Sequence, residues 1–266
     1  MRKLIATVAA AACLMVGSAM AQTKEIKIGF FPGPYADQFK RGIQPILEQK
    51  GYKTSATEFT NIIQINASLM DGSLDLNIFQ NRAFMESYNA QNKADLVEAL
   101  RIPSAPLGVY SRKIKSLAEL KDGMSVSLSN DPTNLARSLM FLEKLGLIKL
   151  KPGIEPAKST EKDVAENPKN LKLVPLDAPQ IPRTMQDVDL AAALGNHILA
   201  AGMLLTDAIA LEDPAPQYQI IIAMRAGNLQ SAWAKDLLDA YKSQAFKTFI
   251  ENDPKTKGFS KPEYWR

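Results

Sequence analysis

Strands and helices alternate along this chain, and that alternation restricts its fold more than any other feature. Lys24 to Phe31 interleaves charged and apolar residues until Pro32-Gly33-Pro34 stops it, which predicts a strand and a turn. Ala36 to Lys50 has helical spacing, with Phe39, Ile43, Ile46 and Leu47 on one face and Gly51 at its end. Thr54 to Phe59 reads as a strand, Asn61 to Met70 as a helix ended by Gly72, and Leu74 to Phe79 as a third strand. Strands alternating with helices imply right-handed crossovers and a parallel sheet. The unit then restarts: strand Met124 to Leu128, helix Leu135 to Leu145, strand Leu171 to Leu176, a helical start at Gln180 to Met185, and a doubly buried strand Val188 to Leu194. Tyr218 to Met224 adds a strand, and Ser231 to Ile250 a long amphipathic helix. Two α/β units predict two lobes, residues 22–104 with 203–266 and residues 105–202. They are joined by extended crossings at Ile102 to Tyr110 and near Asn196 to Gly202. In such sheets ligands sit at strand C-terminal ends, against helix N-termini.

The first 21 residues stand apart. Arg2 and Lys3 precede an apolar run from Leu4 to Val16, and Ala19-Met20-Ala21 offers small residues to a signal peptidase. The run falls short of the ~20 residues a bilayer span needs. Cleavage after Ala21, leaving Gln22 first, predicts a soluble periplasmic protein. Cys13, the only cysteine, follows a poor lipobox with Ala10 three places before it, so lipid anchoring is not expected. The net charge then falls from +4 to +2, because Arg2 and Lys3 leave with the signal. That is no footprint for nucleic acid. At 46% hydrophobic and 23% charged residues, the chain is neither disordered nor a disulfide scaffold.

Catalytic signatures are scarce. One histidine, His197, leaves a Ser-His-Asp triad a single possible base, and the mature chain has no thiol. GxSxG, HExxH and GxxxxGK[ST] are absent, and Ser159-Thr160-Glu161-Lys162 has no partner motif. Neither cofactor nor metal is expected, and the chain does not read as an enzyme. Three segments instead suggest binding. In SNDPTNLARSL, Asn130 and Asp131 are good N-caps, Pro132 suits the first turn, and Thr133 and Asn134 keep the helix start polar. Such a start favours an anion, and Arg137 one turn on can pair with a carboxylate; otherwise Arg137 is a salt-bridge residue. In NIFQNRAF a strand ends in Gln80 and Asn81 between Phe79 and Phe84, which suits an amphipathic ligand or else a core with capping amides. In AAALGNH, Asn196 either faces the cleft or caps a helix.

The stretches SLAELKDGMSVSLSNDPTNLARSLMFLEKLGLIKL and DVAENPKNLKLVPLDAPQIPRTMQDVDLAAALGN closely resemble the NlpA-type family, the methionine-binding substrate-binding proteins of bacterial ABC importers. The resemblance spans nearly the whole mature chain. It implies a two-lobed periplasmic binding protein fold of type II, with a ligand cleft between the lobes. It also implies an amino acid ligand, methionine or a relative, delivered by a monomer to a permease and its ATPase. By the same resemblance Arg137 grips the ligand carboxylate, Asn196 ends the buried strand at the ligand, and Phe79 ends the NIFQ strand. Four positions depart from the family pattern: Asn81 for His, Ile62 for an aromatic, Ala105 for Tyr, and Ile220 for a second Asn. The departures predict a thinned aromatic cage and a ligand preferred over methionine, unless rings such as Tyr35 or Tyr110 compensate. A dipeptide or another small carboxylate is the rival ligand. A periplasmic hydrolase dependent on His197 and a transcription-factor effector domain are the rival classes. Arg137→Ala is expected to weaken binding and leave ligand-free stability little changed.

Overall fold

Residues 25–265 are described by a computed structural model; the predicted signal segment, with Cys13 and Gln22, lies outside them. In chain order the elements are β1 (Glu25–Phe30), α1 (Pro34–Gly42), α2 (Gln44–Gln49), β2 (Lys53–Glu58), α3 (Ile62–Met70), β3 (Leu76–Ile78), α4 (Arg82–Asn92), β4 (Leu96–Arg101) and β5 (Leu107–Tyr110). Then come β6 (Ser125–Ser129), α5 (Pro132–Lys144), β7 (Lys149–Leu150), β8 (Val164–Glu166), β9 (Lys172–Leu176), α6 (Ile181–Thr184), β10 (Leu190–Leu194) and α7 (Gly195–Ala200). The chain closes with β11 (Ala210–Leu211), β12 (Ile221–Arg225), α8 (Ala232–Lys242) and α9 (Gln244–Asn252). Short 3₁₀ turns link several of them.

Two five-stranded sheets form the lobes, in the orders β2-β1-β3-β12-β4 and β11-β5-β10-β6-β9; β7 and β8 make a small separate hairpin. The central strands are buried on both faces, which is why they read as apolar runs. In the first lobe Ile26, Ile28 and Phe30 pack against Phe39, Leu237 and Tyr241 on one side, while Ile65 and Leu69 of α3 cover the other, where they meet Ile221 of β12. In the second, Val126 and Leu128 pack on Leu139 and Leu142 of α5, and the alanines of β10 admit Ile181 and Ile198 opposite.

Several expectations are corrected. The sheets are mixed: β12 runs antiparallel to β3 and β4, and β5 antiparallel to β10 and β11. Strands that arrive by a crossing between lobes are free of the βαβ handedness that makes the others parallel. The outward crossing is extended only as far as β5, which joins the second sheet. The stretch at Asn196 to Gly202 is largely helix α7, and the return falls after β11, which still belongs to the second sheet. The predicted helix Ala36 to Lys50 breaks at Ile43, because Pro45 starts α2 and cannot continue the hydrogen bonding of α1. The predicted helix Ser231 to Ile250 breaks at Ser243, whose extended backbone and hydroxyl cap α9 by accepting from Phe246 N at 3.2 Å. Gly72, at φ 88°, follows α3 in the left-handed region that ends helices. α4 and β4 lie outside the predicted elements.

Candidate functional site

Strands β1, β3, β6, β9 and β10 all end at one cleft between the sheets, and antiparallel β12 begins there. The cavity measures about 420 Å³. Arg137, Asn196, Phe79, Asn81, Asn134, Phe84 and Gln80 all line it, as do the departure positions Ile62, Ala105 and Ile220.

Each residue arrives for a local reason. Asp131 caps α5, its carboxylate accepting from Asn134 N and Nδ2, both at 3.0 Å. The anion expected at this helix start is therefore Asp131 itself. Burial raises its pKa, against the lowering effect of those hydrogen bonds and of Arg137. Asn134 is buried, with its Oδ1 unpartnered. Asn81 caps α4 by accepting from Phe84 N at 2.8 Å, and so fixes Phe84 edge-on to Phe79 at 6.0 Å between centroids. Gln80 lines the cavity, yet its amide is committed: it donates to Asn66 at 2.7 Å and Asn77 at 3.0 Å, and accepts from Asn66. This buried amide network braces the end of β3 rather than offering free donors. Asn196 is the second residue of α7; the cap is Leu194, so the capping alternative is set aside.

Arg137 is not a surface residue. It is 4% exposed and forms an ion pair with Glu212, itself 10% exposed: Nε donates to both carboxylate oxygens at 3.1 and 3.0 Å, and a terminal nitrogen also pairs with Oε2. The Tyr218 ring covers the guanidinium at 5.0 Å from its centroid.

Sequence reasoning placed Phe79 and Phe84 in the aromatic wall and missed the rest of it. Tyr35 is in the core, where its hydroxyl accepts from Ala105 N at 3.2 Å, and Tyr110 is wholly buried; neither lines the cavity. Phe31, Tyr218 and His197 do. The His197 ring stands edge-on to Phe31 at 5.5 Å, and burial lowers its pKa to about 4, so it is a neutral part of the wall. Phe31 directly follows β1, the one signal that placed it at a strand end.

Two α/β lobes closing on a cleft at their strand ends define a periplasmic binding protein fold. A profile of the NlpA lipoprotein family matches residues 26–263, and the chain belongs to that family. It is 37% identical over 244 residues to a D-methionine-binding lipoprotein MetQ of Salmonella typhi, covering 90% of this chain and 88% of that one. Its fold matches a nutrient binding protein from Burkholderia cenocepacia bound to methionine, at 38% identity and a TM-score of 0.83, covering 89% of this chain and 99% of that one. It likewise matches an ABC transporter periplasmic substrate-binding protein from Coxiella burnetii, at 32% identity and a TM-score of 0.82, covering 89% and 100%.

Proposed function

We propose that this protein is the substrate-binding component of an ABC importer, capturing methionine or a closely related amino acid in the interlobe cleft and handing it to a permease driven by an ATPase. The observation that carries the reading is the cleft's composition: a buried arginine and unpartnered amide oxygen beside a wall of Phe31, Phe79, Phe84, His197 and Tyr218. A flexible thioether is well served by ring faces, through area and sulfur contacts. Kinship with methionine-binding proteins points the same way. In this reading Arg137 meets the ligand carboxylate, Asn134 Oδ1 and Asn196 take the ammonium, and the rings hold the side chain. Ile62, Ala105 and Ile220 reshape a cage whose rings come from other elements. Among the described residues we place one lobe at 25–104 with the C-terminal part of the chain, and the other at the segment from 105 to the return. The protein acts as a monomer and transforms nothing.

Export follows from the N-terminal segment. Cleavage after Ala21 is the preferred route, and the family's lipoprotein names make anchoring through Cys13 the alternative. Among the described residues no helix is long and apolar enough to cross a membrane. Calorimetry with L- and D-methionine, other amino acids, dipeptides and small organic acids tests the ligand. Submicromolar affinity for methionine, above all others, is expected. A dipeptide or organic acid binding at least tenfold more tightly would overturn it.

A further inference from the structure

Arg137 is held before any ligand reaches it. Two of its three nitrogens face Glu212, and the other terminal nitrogen makes no hydrogen bond among the described residues. Glu212 is itself placed by backbone: its N–H donates to Leu107 O at 2.8 Å, prolonging the β11–β5 pairing to the point where the outward crossing ends. The arginine's charge is thus neutralised from within the protein, behind the cavity wall. The other charged residues lining the cavity are both acids, Asp131 under Arg137's influence and Asp177 at the exposed rim. His197 adds no charge near neutral pH. A ligand therefore meets one cation already paired and two carboxylates.

We infer that Glu212 is a positioning and specificity residue that cancels the charge of Arg137 and presents its remaining terminal nitrogen to the cleft, so that the site takes amino acids with a free α-ammonium and no net charge and rejects anions. The inference rests on the cleft being an amino acid site, as proposed above. The α-carboxylate meets the open nitrogen of Arg137. The ammonium answers Asp131 and the unpartnered Asn134 Oδ1. A ligand lacking the ammonium leaves Asn134 Oδ1 without a partner and Asp131 with only its bonds from Asn134, and adds uncompensated negative charge.

L-Methionine and N-acetyl-L-methionine test this by calorimetry on the mature protein, since they share side chain and carboxylate and differ in the ammonium. The wild type should prefer L-methionine by about 100-fold or more, as expected when a buried charge loses its partner. Glu212→Gln keeps the shape and removes the charge; it should narrow that ratio by about tenfold or more, chiefly through tighter binding of the acetylated probe. The acetyl group's bulk is the same in both proteins, so the change in ratio reads charge. Glu212→Asp, which keeps the charge, should leave the ratio within about threefold of wild type. A wild-type ratio below tenfold overturns the inference without recourse to any variant. So does an unchanged ratio in Glu212→Gln, a folded Glu212→Gln that binds neither probe, or a Glu212→Asp that behaves like Glu212→Gln. If methionine does not bind the wild type, the methionine reading fails on its own. The same pair of probes is then built on the amino acid that binds best; a panel in which no amino acid binds overturns both.

Discussion

At the scale of single residues, the buried ion pair changes what removing Arg137 should do. Read as a ligand contact alone, the side chain could be lost at little cost to the empty protein. Paired with Glu212 inside the protein, it cannot, because Arg137→Ala leaves a carboxylate buried without its partner. We expect about 3 kcal/mol lower stability by denaturant titration, together with a loss of methionine affinity of roughly 30-fold or more by calorimetry. Unchanged affinity would remove Arg137 from the site. His197 gives a pH signature. Its folded pKa of about 4 lies below the unfolded value near 6.5, so the unfolded chain binds the extra proton between those limits. Its contribution is fully present above pH 6.5 and is lost as pH falls to about 4, amounting to about 3 kcal/mol over that window. His197→Gln should flatten the stability profile there. A variant with the same slope as wild type would show that other groups produce it.

At the scale of elements, the junction of β10 and α7 packs closely against the outward crossing beside the cleft. A Cβ on Gly195 would collide with the Pro106 carbonyl and lie 2.8 Å from Leu205 Cδ2 and 2.9 Å from Ala105 Cβ. The carbonyl is backbone of the outward crossing and cannot swing away as a side-chain tip would. Gly195→Ala should cost about 2 kcal/mol, as overpacking typically does, and should weaken methionine binding because Asn196 and His197 move with the helix. A melting temperature within a degree of wild type would show that the seam yields freely.

At the scale of the whole molecule, a ligand held by both lobes should stabilise them together. With methionine at 100 times its dissociation constant, linkage supplies about 2.7 kcal/mol, which for a chain of this size raises the melting temperature by roughly 5–10 °C. A rise confined to one of two separate transitions would place the ligand on a single lobe. The exported form has its own check: intact mass should match a chain beginning at Gln22, and a diacylated chain beginning at Cys13 would overturn cleavage after Ala21.

Periodicity and capping chemistry are local, and they were legible. The strands from β1 to β3, the α5 start with Asp131 and Pro132, and the doubly buried β10 all follow from residues a few places apart. The seven residues that line the cleft were legible only in part from strand ends and helix starts, and the ligand roles of Arg137, Asn196 and Phe79 rested on the family resemblance. Tertiary structure alone decided the rest. Which strands turn antiparallel depends on where the chain re-enters each sheet. Glu212, 75 residues from Arg137 along the chain, carries no local mark of its partner. The rings of Phe31, His197 and Tyr218 come from three separate segments, and Tyr35 and Tyr110, equally aromatic, are buried elsewhere. Helix and strand signals reside in short-range backbone geometry, whereas charge pairing and the shape of a cavity arise only when distant segments are packed side by side.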